Sequence, residues 1–371
     1  MAKILIVTNG LRSVYNFRKE LIEHLVADGN ELYACAPNDI FAPLLEELGC
    51  HIIPVTVDRR RTNPIKDSKL ILNYFKILSR LKPDIVLNYT AKGICYSGFV
   101  CGVLGIPYTN YIEGIGTTFN GNPLKTAIIR QLFYRGCRKA SRVVFMNDDN
   151  LKFFLDNHIL THNRYTLIRS TGINLDMFTP APYPDESKPV TFSFSARILK
   201  EKGIDIFINV AKSIKQKYPH TDFHVMGEIE EQVEYEAILN DLQKQGILTY
   251  HGLVADVRPI LHDSHCFLFP SYYGEGRNVV LQEACACARP VITGDVTGCR
   301  ESCIDGYNGF LVPAKDEAAF FAAAERFINL PYSEKLHMSA NALALAKKDM
   351  NRVRYVQIWA QLIADILQEN K

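Results

Sequence analysis

Glu275 and Glu283 are the acids whose setting lends itself to chemistry. They stand with seven residues between them in Ser271-Tyr-Tyr-Gly-Glu-Gly-Arg-Asn-Val-Val-Leu-Gln-Glu283. The run follows the apolar segment 265–269 and precedes Ala284-Cys-Ala-Cys-Ala, which reads as strand, glycine-punctuated loop and helix. A helix starting near Arg277 aims its free N–H groups and the positive end of its dipole back at the loop, where a phosphate oxygen fits. The loop acid can then hold one neutral polyol and the helix acid another. Two acids around a diphosphate, with a sugar on each side, could grip a nucleotide sugar. Arg197 and Lys202 supply the matching cations, in Ser195-Ala-Arg-Ile-Leu-Lys-Glu-Lys-Gly203 just before a periodic helix. A guanidinium and an ammonium placed there would neutralise a diphosphate leaving group. By themselves, two acids on a helix or two cations on a loop describe a solvated surface equally well. The setting at a strand end, where open α/β sheets bind ligands, separates the readings.

The elements that must position these residues are legible as alternation. Short apolar runs at 4–8, 31–36, 51–57, 84–88, 106–112, 142–146 and 165–169 are separated by segments of helical period, such as 15–27. A second series follows at 190–196, 223–227, 248–252, 265–269, 290–293 and 310–312. Between the series, Pro180, Pro182, Pro184 and Pro189 forbid a continuing helix. The pattern predicts an α/β protein of two Rossmann-like domains with parallel sheets facing one another across a cleft. The boundaries read as 1–175, a hinge-like linker at 176–189, 190–349, and a C-terminal amphipathic helix at 350–371. That helix either crosses back to the first domain or finishes the second. The first strand–turn–helix unit has a single glycine, Gly10, and so lacks the dinucleotide fingerprint. Close backbone approach to a ligand at Gly10 stays open.

At 371 residues the chain exceeds one typical core, and its net charge of +2 points neither to nucleic acid nor to a strongly acidic partner. The distribution says more. Between residues 51 and 145, fifteen Lys and Arg stand against four Asp and Glu, so the rest of the chain is acidic. Such a domain suits an anionic membrane leaflet or polyanionic substrate, or simply presents a solvated basic face. The ten cysteines have no Cys-x-x-Cys spacing and no histidine completing a familiar metal set, which predicts buried free thiols in a reducing cytosol. Residues 93–112 carry no charge, but Pro107, Thr109 and Asn110 argue for a buried helix and strand rather than a membrane span. The N-terminus enters its first strand too soon for a signal peptide.

Taken together, these motifs resemble the retaining glycosyltransferases of family 4, whose fold is called GT-B. The resemblance rests on Arg197 with Lys202, on Pro270-Ser-x-x-x-Glu275-Gly-(x)6-Glu283-Ala, and on Arg289-Pro-Val-Ile-Thr, Gly298-Cys-Arg-Glu301 and Asp305-Gly-x-Asn-Gly-Phe-Leu-Val-Pro313. It continues through Asn16-Phe-Arg18, Tyr89-Thr-Ala-Lys92, Gly114-Ile-Gly116-Thr-Thr-Phe and Val143-Val-Phe-Met-Asn147-Asp-Asp, so it spans nearly the whole chain. These first-half features look like the branch that extends polyprenyl-diphosphate-linked oligosaccharides in capsule, O-antigen or protein glycosylation.

The resemblance implies that Glu283 binds the ribose hydroxyls and Glu275 the donor sugar, with Arg197 and Lys202 on the diphosphate. Backbone N–H groups of Gly276, Arg277, Asn278 and Val279, with the Gly10 turn, would complete the cradle. It implies transfer with retention from a UDP-sugar to a lipid-linked saccharide, with no catalytic metal and no cofactor. The enzyme would be cytoplasmic and peripheral on the inner face of the membrane. One departure stands out: many members carry a sugar-contacting histidine after the fourth strand, where this chain has Asn88-Tyr-Thr-Ala-Lys92. Thr90 and Lys92 are candidates to replace it, and Glu113 is a further sugar or acceptor candidate; equally, Glu113 is an acid opening a turn or helix. An epimerase of the same fold and a non-catalytic sugar-nucleotide-binding subunit are the alternatives.

Overall fold

The computed structural model describes every residue except 59–62, 116, 117, 120, 121, 230–232, 275 and 371. The chain divides into two compact units, one of residues 1–171 with 353–371 and one of residues 172–352.

The first unit holds a parallel seven-stranded sheet of β1 (Lys3–Val7), β2 (Glu31–Ala36), β3 (Cys50–Pro54), β4 (Ile85–Asn88), β5 (Tyr108–Ile112), β6 (Arg142–Phe145) and β7 (Tyr165–Leu167). The spatial order is β3-β2-β1-β4-β5-β6-β7. Both faces are covered, as an all-parallel sheet requires. In β1, Ile4 and Ile6 enter one core while Leu5 and Val7 enter the other, following the two-residue period of a strand. The helix Arg352–Glu369 contributes Tyr355, Trp359, Ile363 and Ile366, at helical spacing, to the core containing Ile4 and Ile6. The C-terminal helix is thus part of the first unit.

The second unit holds β8 (Thr191–Ser195), β9 (Asp222–Met226), β10 (Thr249–Tyr250), β11 (Cys266–Phe269), β12 (Val291–Gly294) and β13 (Gly309–Val312), all parallel. Their order is β10-β9-β8-β11-β12-β13. The strands expected from sequence all form, with ends displaced by a few residues at most.

The proline-rich stretch 176–189 is not a free linker. It belongs to the second unit, and the chain passes between units at residues 171–172 and 352–353 instead. Phe178 packs into the second core, and Tyr183 donates to the His265 carbonyl at 2.8 Å. Arg289, fully buried, donates to the carbonyls of Ala181 and Pro182 as well as Leu261 and His262. Prolines remove donors but leave acceptors, and a buried guanidinium with five N–H groups satisfies several carbonyls at once. The ten cysteines are buried free thiols, and burial pushes Cys35 and Cys285 up to about 12. No described helix is long and apolar enough to cross a membrane.

Candidate functional site

In the second unit the residues singled out by sequence gather at the carboxyl ends of β8 and β11. After β8, Lys200–Lys202 forms a single 3-10 turn closed by Gly203 in the left-handed conformation, φ 83°. A side chain is excluded there: a Cβ on Gly203 would lie 2.2 Å from the Pro270 carbonyl oxygen, just past β11. The two loops are stitched together, with the Tyr272 N–H donating to the Glu201 carbonyl at 3.0 Å and Ser271 Oγ donating to the same oxygen at 3.4 Å. That contact draws Lys202 inward until only 6% of it is exposed, its Nζ 5.9 Å from the Phe269 ring and 5.2 Å from that of Tyr273. An ammonium held against aromatic faces is a preorganised cation. Arg197, six residues after the start of β8, is exposed. Of the pair, the lysine is buried and the arginine exposed. Glu275 lies outside the described residues.

The helix Val279–Ala286 follows this loop, with Asn278 as an extended N-cap whose side chain makes no capping bond. The expected phosphate cradle is narrower than the sequence suggested. The Asn278 N–H already donates to the Gly298 carbonyl at 2.8 Å, and its Nδ2 donates to Cys299 Sγ. Gly298 is fixed in turn, its N–H donating to Glu301 Oε2 at 2.7 Å. The Arg277 guanidinium is buried and spent on Ser302 Oγ and on the Asp349 and Glu301 carbonyls, so it anchors the helix start instead of facing an anion. The first-turn N–H groups of Val279, Val280 and Leu281 have no acceptor within the helix and stand at the positive end of its dipole. Gly276 is buried beside them.

Glu283 sits one turn further along this helix. Burial raises its carboxyl to about 7, while Arg352 pulls it the other way. A carboxyl so placed gains by accepting hydrogen bonds from hydroxyls, which stabilise its charged form.

In the first unit, the candidates Gly10, Lys92 and Glu113 lie beside groups that already engage them or their neighbours. Gly10 has φ −179°, an extended backbone open to any residue, and the N–H of Leu11 donates to Asp39 Oδ2 at 3.2 Å. With a carboxylate already at the start of the helix Leu11–Ala27, the turn is poorly suited to a second anion. Lys92 donates to Asp67 Oδ1 at 2.6 Å in a pair of which each side chain is nearly buried, so its charge is committed. Glu113 opens no helix; it accepts from Arg18 Nη2 at 2.8 Å. Thr90 stays a candidate on different grounds: it has φ 64°, and its Oγ1 is buried without a hydrogen-bond partner. A β-branched residue in the left-handed region is strained. Sequence reasoning passed over Tyr273, Glu301 and Arg352. Tyr273 and Glu301 carried a signal, the first inside the run 271–283 and the second in Gly298-Cys-Arg-Glu301.

Comparisons with known proteins add the family. A family model described as "Glycosyl transferase 4-like" matches residues 3–147, and one described as "Glycosyl transferases group 1" matches residues 189–329. The N,N'-diacetylbacillosaminyl-diphospho-undecaprenol alpha-1,3-N-acetylgalactosaminyltransferase of Campylobacter jejuni is 26% identical, covering 95% of this chain and 97% of its own. The capsular polysaccharide biosynthesis glycosyltransferase CapM of Staphylococcus aureus is 24% identical over 84% of this chain and 82% of its own. Among solved structures, a Rickettsia africae glycosyltransferase superposes with a TM-score of 0.81 at 15% identity, covering 99% of this chain and 98% of that one. Anabaena HepE in complex with UDP and glucose superposes with a TM-score of 0.80 at 16% identity, over 98% and 100%. With both family models placed one after the other and the fold shared along almost its whole length, the chain belongs to the group 1, family 4-like glycosyltransferases and has their GT-B fold.

Proposed function

We propose that this glycosyltransferase moves a hexose or N-acetylhexosamine from a UDP-sugar to a polyprenyl-diphosphate-linked saccharide, with retention and without a metal ion. The observation that carries the reading is the likeness, along nearly both whole chains, to an enzyme named for transfer of N-acetylgalactosamine onto a diphospho-undecaprenol-linked sugar. A UDP donor is supported by the shared fold with HepE, solved with UDP-glucose.

In this reading Lys202, wedged between Phe269 and Tyr273, and the first-turn N–H groups of Val279 to Leu281 hold the diphosphate. Arg197 closes on it from the surface. Their charge stabilises the departing UDP more strongly as the glycosidic bond breaks, which is where catalysis is gained. A leaving phosphate oxygen takes the proton of the attacking acceptor hydroxyl on the face that preserves the anomeric configuration. Glu283 receives the ribose hydroxyls, and Glu275 the hydroxyls of the transferred sugar.

A lipid-linked acceptor would bring the enzyme to the inner face of a membrane, and the first unit offers a surface that suits one. Leu124 and Ile128 are 73% and 54% exposed on the helix Pro123–Cys137, among Lys125, Arg130, Arg135 and Arg138. Exposed apolar groups among cations suit anionic headgroups above acyl chains.

The test follows UDP release from a panel of UDP-sugars with and without prenyl-diphosphate-linked saccharides. Glu275→Ala is expected to lower acceptor-dependent release by about 10²-fold or more, with near-normal turnover overturning its role. Consumption of the donor without any acceptor would favour an epimerase, and nucleotide binding without turnover a binding subunit.

A further inference from the structure

Lys315 stands where two local preferences disfavour a lysine. It follows β13 in Pro313-Ala314-Lys315-Asp316, a turn closed by the Asp316 N–H donating to the Pro313 carbonyl at 3.3 Å. Its φ is 64°, and at the third position of such a turn glycine is the unstrained choice. The helix Glu317–Ile328 begins two residues later, capped by Asp316, whose side chain accepts from the Ala319 N–H at 2.9 Å. A cation at that end opposes the helix dipole. A residue kept against both preferences is expected to have a task for its side chain.

That task lies across the sheet. The Lys315 Nζ is 4.7 Å from the centroid of the Tyr272 ring, in the loop after β11. With the strand order β8-β11-β12-β13, β12 stands between the two loops. It ends at Gly294, where a Cβ would come within 2.8 Å of the Ser271 carbonyl oxygen, so the loop after β11 settles over a strand end that offers no side chain. Tyr272 packs its ring against the second core and donates its N–H to the Glu201 carbonyl at 3.0 Å. It is therefore held from the β8 side by backbone and from the β13 side by the Lys315 ammonium.

The next residue, Tyr273, belongs to the donor site. Its ring is 5.2 Å from the Lys202 Nζ, and its N–H donates to Ser271 Oγ at 3.3 Å. Two consecutive tyrosines thus face two lysines, Lys315 exposed and Lys202 buried. At an exposed site an ammonium over an aromatic ring is worth about two- to fivefold in an equilibrium. That is too little to carry the fold, and enough to set the loop on which Lys202 leans.

We propose that Lys315 is a positioning residue for the donor's diphosphate: by clasping Tyr272 it fixes the Tyr272-Tyr273 step, and with it the aromatic wall that holds Lys202. The inference rests on the reading of Lys202 as a diphosphate ligand, and adds a residue that acts through it from a third loop.

The test measures UDP affinity by calorimetry, alongside melting temperature, for full-length wild type, Lys315→Gly, Lys315→Arg and Lys202→Met. Lys315→Gly removes the ammonium and the backbone strain together. It is expected to weaken UDP binding about two- to fivefold while melting no lower than wild type, a combination that a merely structural role would not give. Lys315→Arg keeps a cation over the ring and is expected to bind UDP within about twofold of wild type. In a Lys202→Met background, Lys315→Gly is expected to leave UDP affinity within about 1.5-fold, because it acts through Lys202. A charge felt by the diphosphate from a distance would keep its full effect there. Unchanged UDP affinity in Lys315→Gly, a loss that follows a lower melting temperature, or a loss retained in full in the Lys202→Met background would overturn the inference and leave the transferase reading intact. Lys202→Met that binds UDP as tightly as wild type would overturn the donor-site reading, and this inference with it.

Discussion

Glu283→Gln separates the demands of folding from those of nucleotide binding. Burial lifts the Glu283 carboxyl from 4.5 to about 7, against the pull of Arg352. Its pKa in the fold is above the unfolded value, so between these limits the folded protein binds more protons than the unfolded chain. The contribution of this group to stability is therefore largest below about pH 4.5, falls as pH rises through the window, and is flat above about pH 7. At about 1.36 kcal/mol per unit, the whole shift is worth at most about 3 kcal/mol. Glutamine removes the titration, so the variant should melt several degrees higher than wild type at pH 8, with the gap closing toward pH 5. Binding should move oppositely. If the charged carboxylate receives ribose hydroxyls, wild-type affinity for uridine falls roughly tenfold from pH 8 to pH 6, following the ionised fraction of a group titrating near 7. Uridine is the proper probe because it carries no phosphate to titrate in this range. Calorimetry at pH 6, 7 and 8 reads both proteins, and the variant should bind weakly at every pH. Uridine affinity that is flat in wild type, or pH-dependent in the variant, would refute the assignment of the ribose to Glu283.

Two further perturbations probe the donor loop and the membrane face. Gly203→Ala forces a Cβ to within 2.2 Å of the Pro270 carbonyl at φ 83°, and is expected to destabilise the second unit by about 2–4 kcal/mol and weaken UDP binding; unchanged melting and affinity would show that the loop yields. Binding to phosphatidylglycerol vesicles should weaken as salt rises from 50 to 500 mM, since screening acts on the cations near Leu124 and Ile128; salt-independent binding would assign the membrane contact to apolar insertion instead.

The sequence disclosed most of the fold because a parallel sheet buries both faces of its strands, leaving apolar runs such as 4–8 and 265–269 as unbroken signals. The strand ends that precede Arg197 and the helix carrying Glu283 were legible for the same reason. Side-chain partners distant in sequence were not. Lys92 looked like a loop cation until Asp67, twenty-five positions away, claimed it. Arg277 stood in the right motif, yet its guanidinium turns to Ser302 and Asp349, leaving only backbone to the loop. The prolines of 176–189 signalled a break in helix correctly, but nothing local announced that Arg289 would pin their carbonyls. The periodicity of the last helix gave its apolar face without its destination, which the first core decides through Trp359 and Ile363. Arg18 lay inside a quoted motif and received no role, because burial of a charge is invisible in one dimension.

The central claim is transfer onto a lipid-linked sugar, and acceptor-dependent UDP release tests it most directly. Purified protein would be incubated with UDP-N-acetylgalactosamine, UDP-N-acetylglucosamine or UDP-glucose, each with and without a prenyl-diphosphate-linked saccharide. The account predicts UDP release with at least one donor that rises at least tenfold on adding acceptor, in parallel with a product heavier by one sugar residue. Donor consumption at the same rate without acceptor, or no heavier product with any pairing, would contradict it.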